Sequence, residues 1–412
     1  MVSLISMKSY KVYIDSAAWI CEANLVGTSR IYQYMIENGH EIIKNPLEAD
    51  FIVINSCGLT KMRRDLSINF FKEYHSQKKE KAKIIMFGCL VKIDKEKINS
   101  LDLTPIDFYE ENKFDEIFYN KTKFENIHPN CDIRIKEELL QGKDLFQSSR
   151  IIPFILSGLF FPFSKKMRLN YQNMINSFTY YNKNFVEIAC GCTGNCSYCM
   201  IKKARGNIHS RQIKDIISDV EKLYYTSKNL FLVADDCGSF GLDIETNFFN
   251  LMYEINKRFP DLIIDLNYLN PYWLEKYSNE YIKLFKDVKI NLASIPVQSG
   301  SNKILKKMNR RYNINKVIEV VDKLKKVSPK TITYSHFLIA FPGENTIDFF
   351  KTLYCAMHFD LPIALIYSEH ENSLSSKLGN HKSTLTIALR YFLFLLFINL
   401  TISYKLLTYP KE

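Results

Sequence analysis

The sequence predicts an α/β protein made of an N-terminal doubly wound α/β domain followed by a six-unit partial (β/α) barrel. Three observations predict it. Short apolar runs alternate with segments of helical spacing along most of the chain. The runs are continuous rather than alternating, as in parallel strands buried on both faces. They also fall into two series, one from residue 11 to about 125 and one from residue 185 onward.

In order, KVYID (11–15) is a short strand, and LVGTSRIYQYMIEN (25–38) has helical spacing and ends before Gly39. FIVINS (51–56) and KIIMFG (83–88) are buried parallel strands with a helical stretch between them, about 61–79. PIDFYE (105–110) is a fourth strand candidate, which completes a βαβαβ order over residues 8–125. Residues 126–184 are less regular. Within them IIPFILSGLFFPF (151–163) is strongly apolar, but its prolines argue against one long helix. It reads as a hydrophobic connector between domains.

The second series occupies 185–378. Its strand candidates are FVEIA (185–189), NLFLVA (229–234), LIIDLNYL (262–269), VKINLASIPVQ (288–298), TITYSHFLIA (331–340) and LPIALIYS (361–368). Helical segments near 211–224, 245–258, 273–286, 301–325 and 345–358 separate them. The active site of such a barrel lies at the C-terminal strand ends. The tail, 379–412, contains the apolar segment 384–407, which carries Arg390. Its uncharged run from Tyr391 to Tyr404 is 14 residues, short of the roughly 20 that span a bilayer. A helix packed on the barrel is the preferred reading over membrane attachment.

Composition narrows the class. With 412 residues, 47% hydrophobic and 24% charged, the chain is not disordered. It has no Gly-X-Y or heptad repeat and is not fibrous. MVSLISMKSYKVYIDS lacks the apolar stretch of a signal peptide, so a cytoplasmic location is expected. In a reducing compartment, clustered cysteines point to metal or redox chemistry. The net charge of +11 fits an anionic partner such as nucleic acid, although the lysines are spread along the chain.

Cys192, Cys196 and Cys199 form CTGNCSYC, a C-x3-C-x2-C spacing directly after the first barrel strand. Three thiolates on one loop can hold three irons of a [4Fe–4S] cluster, leaving the fourth iron open to a small molecule. Structural zinc usually takes four protein ligands, and this loop supplies three.

This motif at this place in a six-unit βα barrel is similar to that of the radical SAM enzymes. The resemblance implies that the open iron chelates S-adenosylmethionine (SAM). The reduced cluster then cleaves SAM to a 5′-deoxyadenosyl radical, which abstracts a hydrogen atom from an unreactive C–H bond. GCTGNCSYCMIKKARG (191–206), VADDCGSFG (233–241), NPYWL (270–274), IPVQSGSNKILKKMNRRY (295–312) and FLIAFPGE (337–344) resemble the methylthiotransferases within that group, over about residues 8–378. GNCSYC with KARG, and Asn270-Pro271, look most like the archaeal and eukaryotic branch, which acts on N6-threonylcarbamoyladenosine in tRNA.

The N-terminal cysteines add an independent observation. Cys21 follows the first strand, Cys57 ends FIVINS and Cys89 ends KIIMFG. Carboxyl ends of adjacent strands in a doubly wound sheet converge on one edge. The three cysteines are therefore expected to meet and to hold a second [4Fe–4S] cluster. CEAN (21–24), INSCG (54–58) and FGC (87–89) also resemble the methylthiotransferase N-terminal domain.

The resemblance implies a product with C–S–CH3 in place of C–H. The second cluster holds or donates the sulfur, a second SAM supplies the methyl group, and an electron donor such as flavodoxin or ferredoxin and a sulfur donor act as partners. It also implies cofactor contacts for Tyr198, Asp235, Asp236, Gln298, Ser299 and Arg205. No residue stands out as certainly catalytic. Lys306, Lys307, Arg310 and Arg311 form a basic cluster suited to phosphate.

Several positions depart from the family. Cys190 stands where an acidic residue is usual and reads as an inert neighbour. Cys237 replaces a usual Thr and His336 a usual Asp, and His336 is expected to pack or bond locally. Cys131 and Cys355 read as ordinary thiols. The family normally ends in a small RNA-binding barrel, TRAM, for which the 34 residues after Leu378 are too few. That keeps methylthiolation or sulfur insertion on a peptide or protein side chain as a rival, with a non-catalytic iron–sulfur protein as the third reading.

Overall fold

A computed structural model describes residues 8–19, 21–118, 121–141, 182–370, 373–379 and 381–408. The apolar run 151–163 lies outside the described residues. The N-terminal sheet contains β1 (Lys11–Ser16), β2 (Glu41–Ile42), β3 (Phe51–Ser56), β4 (Lys83–Gly88) and β5 (Thr104–Ile106). All pair in parallel, in the order β2-β1-β3-β4-β5.

Side chains alternate across each strand, and both faces of this sheet are covered. Val12, Ile14, Phe51, Val53, Ile85 and Phe87 share a core with the helix Glu22–Glu37. Tyr13, Ile52, Ile54, Ile84 and Met86 share one with the helix Lys61–Gln77. This is why the runs read as continuously apolar. β5 is shorter than the expected strand. Beyond it the chain turns, and Asp107 Oδ1 accepts from the Tyr109 amide at 2.7 Å.

The second sheet holds β6 (Asn130–Cys131), β7 (Asn184–Glu187), β10 (Asn229–Val233), β11 (Ile263–Leu266), β12 (Ile290–Ser294), β13 (Ile332–Ile339) and β14 (Leu361–Ile366). Between β7 and β10, β8 (Ala189–Cys190) and β9 (His209–Ser210) form a small antiparallel ladder. The sheet order is β14-β13-β12-β11-β10-β7-β6, with six parallel strands and β6 added antiparallel at one edge. The sheet is open, a partial barrel with its helices outside.

Two helical segments read as single are split. Over 273–286 the helices are Pro271–Lys276 and Ser278–Asp287, and over 301–325 they are Asn302–Lys307 and Ile314–Val327. Asn309 takes a left-handed φ of 55° and stops the second of these.

The concave face of the open sheet is filled by the other domain. Phe185, Phe231, Val233, Leu292 and Tyr334 pack on Ala23, Leu25 and Val26, the first turns of the helix Glu22–Glu37. That insertion brings the carboxyl ends of β1, β3 and β4 to the mouth of the barrel. The helix Thr384–Thr408 closes the far edge against β13 and β14. It buries Phe394, Leu395 and Ile398 and sets Arg390 on Glu344 at 2.5 Å. Among the described residues no helix is long and apolar enough to cross a membrane.

Candidate iron–sulfur and cofactor site

The C-x3-C-x2-C loop runs between β8 and the helix Ile201–Arg205. Its entry is the backbone of Gly191, at φ 82°, where an added Cβ would stand 2.0 Å from the Asn207 carbonyl oxygen. Only glycine passes there. The three sulfurs each accept a hydrogen bond. Gly194 N–H donates to Cys192 at 3.2 Å, Arg310 Nη1 to Cys196 at 3.6 Å and Ile201 N–H to Cys199 at 3.4 Å.

A turn from the fourth strand braces the loop. Ser197 N–H and Oγ donate to the carbonyls of Met308 and Lys307, each at 3.0 Å, and Asn309 Nδ2 donates to the Asn195 carbonyl at 2.7 Å. The basic run is thereby divided. Arg310 turns inward to Cys196, whereas Lys306, Lys307 and Arg311 are exposed.

Cys21 precedes the helix Glu22–Glu37, Cys57 follows β3, and Cys89 opens the helix Cys89–Ile93 after β4. Cys21 and Cys57 interact electrostatically, as do Cys57 and Cys89. The loop cysteines 192, 196 and 199 likewise act on one another. Burial pushes the thiols of Cys57, Cys192 and Cys199 up to about 12, and raises Cys21 and Cys89 as well. Loading either triad therefore expels protons, as metal binding by thiols does.

Among the described residues no three His, Cys, Asp or Glu are arranged to hold a single metal ion. Two spread triads of thiols, with donors aimed at sulfur in the loop, fit a polynuclear cluster with one iron per thiolate.

The helix that opens with Cys89 meets the helix that follows the cluster loop across a small apolar contact. Cys89 and Ile93 pack with Met200 and Ala204, and Lys203 Nζ donates to the Ile93 carbonyl at 3.0 Å. At its edge lies Arg205, 5% exposed. Its Nη1 stands 3.5 Å from Glu187, 3.6 Å from Asp235 and 3.7 Å from the Cys190 sulfur, and its guanidinium lies 4.5 Å over the Phe108 ring. The Arg205 carbonyl accepts from Tyr109 OH at 3.0 Å. Burial raises the Glu187 carboxyl, and Arg205 opposes that rise. Beside this group a cavity of about 320 Å³ opens between the domains, reached by Arg30, Glu111, Tyr109, Cys190, Arg205 and His209.

The remaining expected contacts divide. Asp235 accepts from Gly191 N–H at 2.8 Å, which ties the second strand end to the cluster loop. Tyr198 is half-buried against Phe341 and interacts electrostatically with Arg310, Cys196 and Cys199. Asp236 instead holds the NPYWL turn, accepting from Trp273 Nε1 at 2.8 Å and from the amides of Gly238 and Asn270. Burial pushes its carboxyl up to about 6.

Gln298 sits at φ 68°, a left-handed position that is strained for a non-glycine residue. Ser299 faces Thr352 in the helix layer, its Oγ 3.3 Å from Oγ1. His336 packs on Tyr334 and Tyr268. Cys131, Cys237 and Cys355 are buried among apolar side chains. Sequence reasoning missed Glu187 and the Arg30–Glu111 pair at 2.7 Å. A buried acid inside an apolar run was the available signal for Glu187.

Residues 186–353 match the model of the Radical SAM superfamily, and residues 11–107 that of "Uncharacterized protein family UPF0004". A tRNA-2-methylthio-N(6)-dimethylallyladenosine synthase of Buchnera aphidicola is 28% identical over 84% of this chain and 75% of its own length. A ribosomal protein uS12 methylthiotransferase RimO of Alkaliphilus oremlandii is 28% identical over 87% and 75%. A probable threonylcarbamoyladenosine tRNA methylthiotransferase of Pyrococcus horikoshii is 28% identical over 81% and 71%. The radical S-adenosylmethionine methyltransferase TsrM of Kitasatospora setae superposes with a TM-score of 0.56 at 12% identity, over 87% of this chain and 73% of that one, which establishes a shared fold.

Proposed function

The chain is a radical SAM transferase of the methylthiotransferase family, and we propose that within it the enzyme converts N6-threonylcarbamoyladenosine of tRNA to its methylthio form. The family's cofactors are SAM and [4Fe–4S] clusters, two per chain, and when bound they supply hydrogen-atom abstraction, sulfur and methyl. Cys192, Cys196 and Cys199 would hold the cluster that binds SAM, and Cys21, Cys57 and Cys89 the second.

The protein's own groups position and shield these. The donors Gly194 N–H, Ile201 N–H and Arg310 act on the loop sulfurs, a known determinant of cluster potential. Asp235, Gly191 and Arg205 tie the loop to the second strand and to the other domain. Tyr198 and Phe341 keep an apolar wall beside the loop.

The observation that carries the tRNA reading is the turn braced on the cluster loop. Lys306, Lys307 and Arg311 are exposed on the segment whose backbone holds Ser197 and Asn195. Cations at that rim suit phosphates flanking a base presented to the loop.

The test is anaerobic incubation with SAM, reductant and tRNA from a strain lacking the modification, with nucleosides read by mass spectrometry. A uS12 peptide runs in parallel, because uS12 methylthiotransferases match at the same identity. A methylthio nucleoside is expected, with tRNA binding that weakens steeply with salt. Modification of the peptide alone overturns the substrate, and absence of 5′-deoxyadenosine overturns the chemistry. Iron should number about eight per chain and fall to about four when Cys21, Cys57 and Cys89 are all alanine.

A further inference from the structure

The NPYWL turn held by Asp236 forms one wall of a recess outside the barrel. A cavity of about 410 Å³ opens there between the helix Phe248–Arg258 and the pair Pro271–Lys276 and Ser278–Asp287. Its lining is aromatic. Phe249, Tyr253, Trp273 and Tyr277 line it, together with Glu280 and Lys283, two exposed residues one turn apart. The rings of Trp273 and Tyr277 lie 6.1 Å apart and within 5° of parallel, and Phe249 meets Tyr277 edge-on at 6.1 Å. Lys276 Nζ stands 4.9 Å from the Tyr277 centroid and 5.5 Å from a Trp273 centroid. Gly238 makes room for the indole, because a Cβ there would stand 2.4 Å from Trp273 Cδ1.

We propose that this cavity takes a nucleotide of the tRNA substrate other than the modified one, its base against the aromatic wall and its phosphate toward Lys276 and Lys283. The inference rests on the tRNA reading above and adds to it a second contact, outside the barrel.

Three observations carry it. The first is the wall. Aromatic rings interleaved with cations are what unpaired bases stack on, and the volume is that of a small-ligand pocket. Trp273 Nε1 donates to Asp236 at 2.8 Å, so the indole is anchored to the end of the second strand. The second is the chemistry of the edge. Glu280 offers a carboxylate to the amino groups of a base, and Lys283 offers an ammonium to a phosphate. The third is continuity with the basic turn. Glu275 lies in the same short helix as Trp273. It accepts from Asn313 N–H at 2.8 Å and borders a second, polar recess of about 510 Å³ that Lys306, Arg310 and Arg311 line. The helix Pro271–Lys276 is thus a ridge with the basic turn on one side and the aromatic cavity on the other. A helix with its side chains is about 10–12 Å across, so a few nucleotides of backbone cross it.

The test is binding of unmodified tRNA to the cluster-loaded full chain, measured anaerobically by filter retention at several salt concentrations. Asn250→Trp fills the cavity from an exposed position in its lining. It should weaken binding about tenfold and leave the salt dependence unchanged. Lys283→Gln should weaken binding and make the salt slope shallower by about one. Both should keep the parent's Tm and its formation of 5′-deoxyadenosine from SAM without tRNA. The chain has two tryptophans, so Trp19→Phe leaves Trp273 alone, and tRNA should quench its fluorescence. A folded Asn250→Trp chain that binds tRNA as the parent does overturns the proposal, and so does tRNA binding that leaves Trp273 unquenched. Quenching by AMP, with tRNA affinity indifferent to Asn250→Trp, makes the ligand a free nucleotide and also overturns it. Where Asn250→Trp does not fold, the Trp273 signal and Lys283→Gln decide. A parent chain that binds no tRNA and modifies only the uS12 peptide overturns the tRNA reading itself, a separate result from any of these.

Discussion

Replacing Arg205 by Met tests whether one buried cation holds the domain junction together. Its guanidinium is within 3.6 Å of both Glu187 and Asp235, whose side chains are 16% and 8% exposed. Removing one partner of a buried ion pair costs about 3–5 kcal/mol, because the other charge is left uncompensated. The lost contact over Phe108 adds about 1 kcal/mol. The sum, about 4–6 kcal/mol, corresponds to roughly 10–20 °C in Tm for a domain of this size.

The assay is thermal unfolding of the iron-free chain at pH 7.5 and 5.5. Burial already raises Glu187, and losing Arg205 raises it further. An acid whose folded pKa lies above its unfolded value binds more protons when folded, so stability returns as pH falls. The deficit should therefore shrink at pH 5.5. Adding Glu187→Gln and Asp235→Asn to Arg205→Met should restore at least half of the loss. Arg205→Lys should keep part of the stability, since charge remains but the planar fork does not. A triple variant as unstable as Arg205→Met, or a deficit that does not change with pH, refutes the argument from unpaired carboxylates.

Other expectations follow from single contacts. Gly191→Ala forces a left-handed alanine onto the Asn207 carbonyl, costing at least ~2 kcal/mol locally, and iron analysis should show about half the normal content because the loop site alone is lost. Arg390→Leu strands buried Glu344, with a cost of about 3 kcal/mol, seen as faster hydrogen exchange over the helix Thr384–Thr408. Burial pulls the Lys136 ammonium from 10.5 down to about 8. Lys136 is 3% exposed, and the interval corresponds to roughly 3 kcal/mol. The unfolded chain then binds more protons between pH 8 and 10.5, so stability rises across that window. Lys136→Met should flatten the rise and stabilise the protein below pH 8, as read by urea denaturation.

The strands were legible because burial on both faces leaves a continuous run. FIVINS is buried at all six positions. Two-residue strands such as β2, β6, β8 and β9 are too short to show any period. The split of 301–325 was not legible, since it depends on a left-handed Asn309. The same turn decides that Arg310 faces Cys196 while its neighbours face solvent, a distinction no charge count contains. The placement of Cys57 and Cys89 just past the ends of β3 and β4 was legible because parallel topology dictates where strand ends go. Ser299 was placed at the correct strand end, but the register of that end turns its hydroxyl to Thr352.

That domain junction limits how substrate reaches the centre. Drawing the two domains apart would expose Phe185, Phe231, Leu292 and Tyr334, each now at most 3% exposed. At about 1.5–3 kcal/mol for each large side chain, separation costs roughly 6–12 kcal/mol, comparable to the whole stability of a typical domain. The Cys89–Met200 contact and the Arg205 pairs add to it on the other side of the triads. A hinge at this interface is therefore too costly to open on each turnover. A bulky substrate that needs no separation of the domains would meet the cluster loop at its rim, where Lys306, Lys307 and Arg311 stand exposed. The interdomain cavity of about 320 Å³ beside Cys190 is of the size that takes a small molecule and not a polymer, so it is separate from that rim.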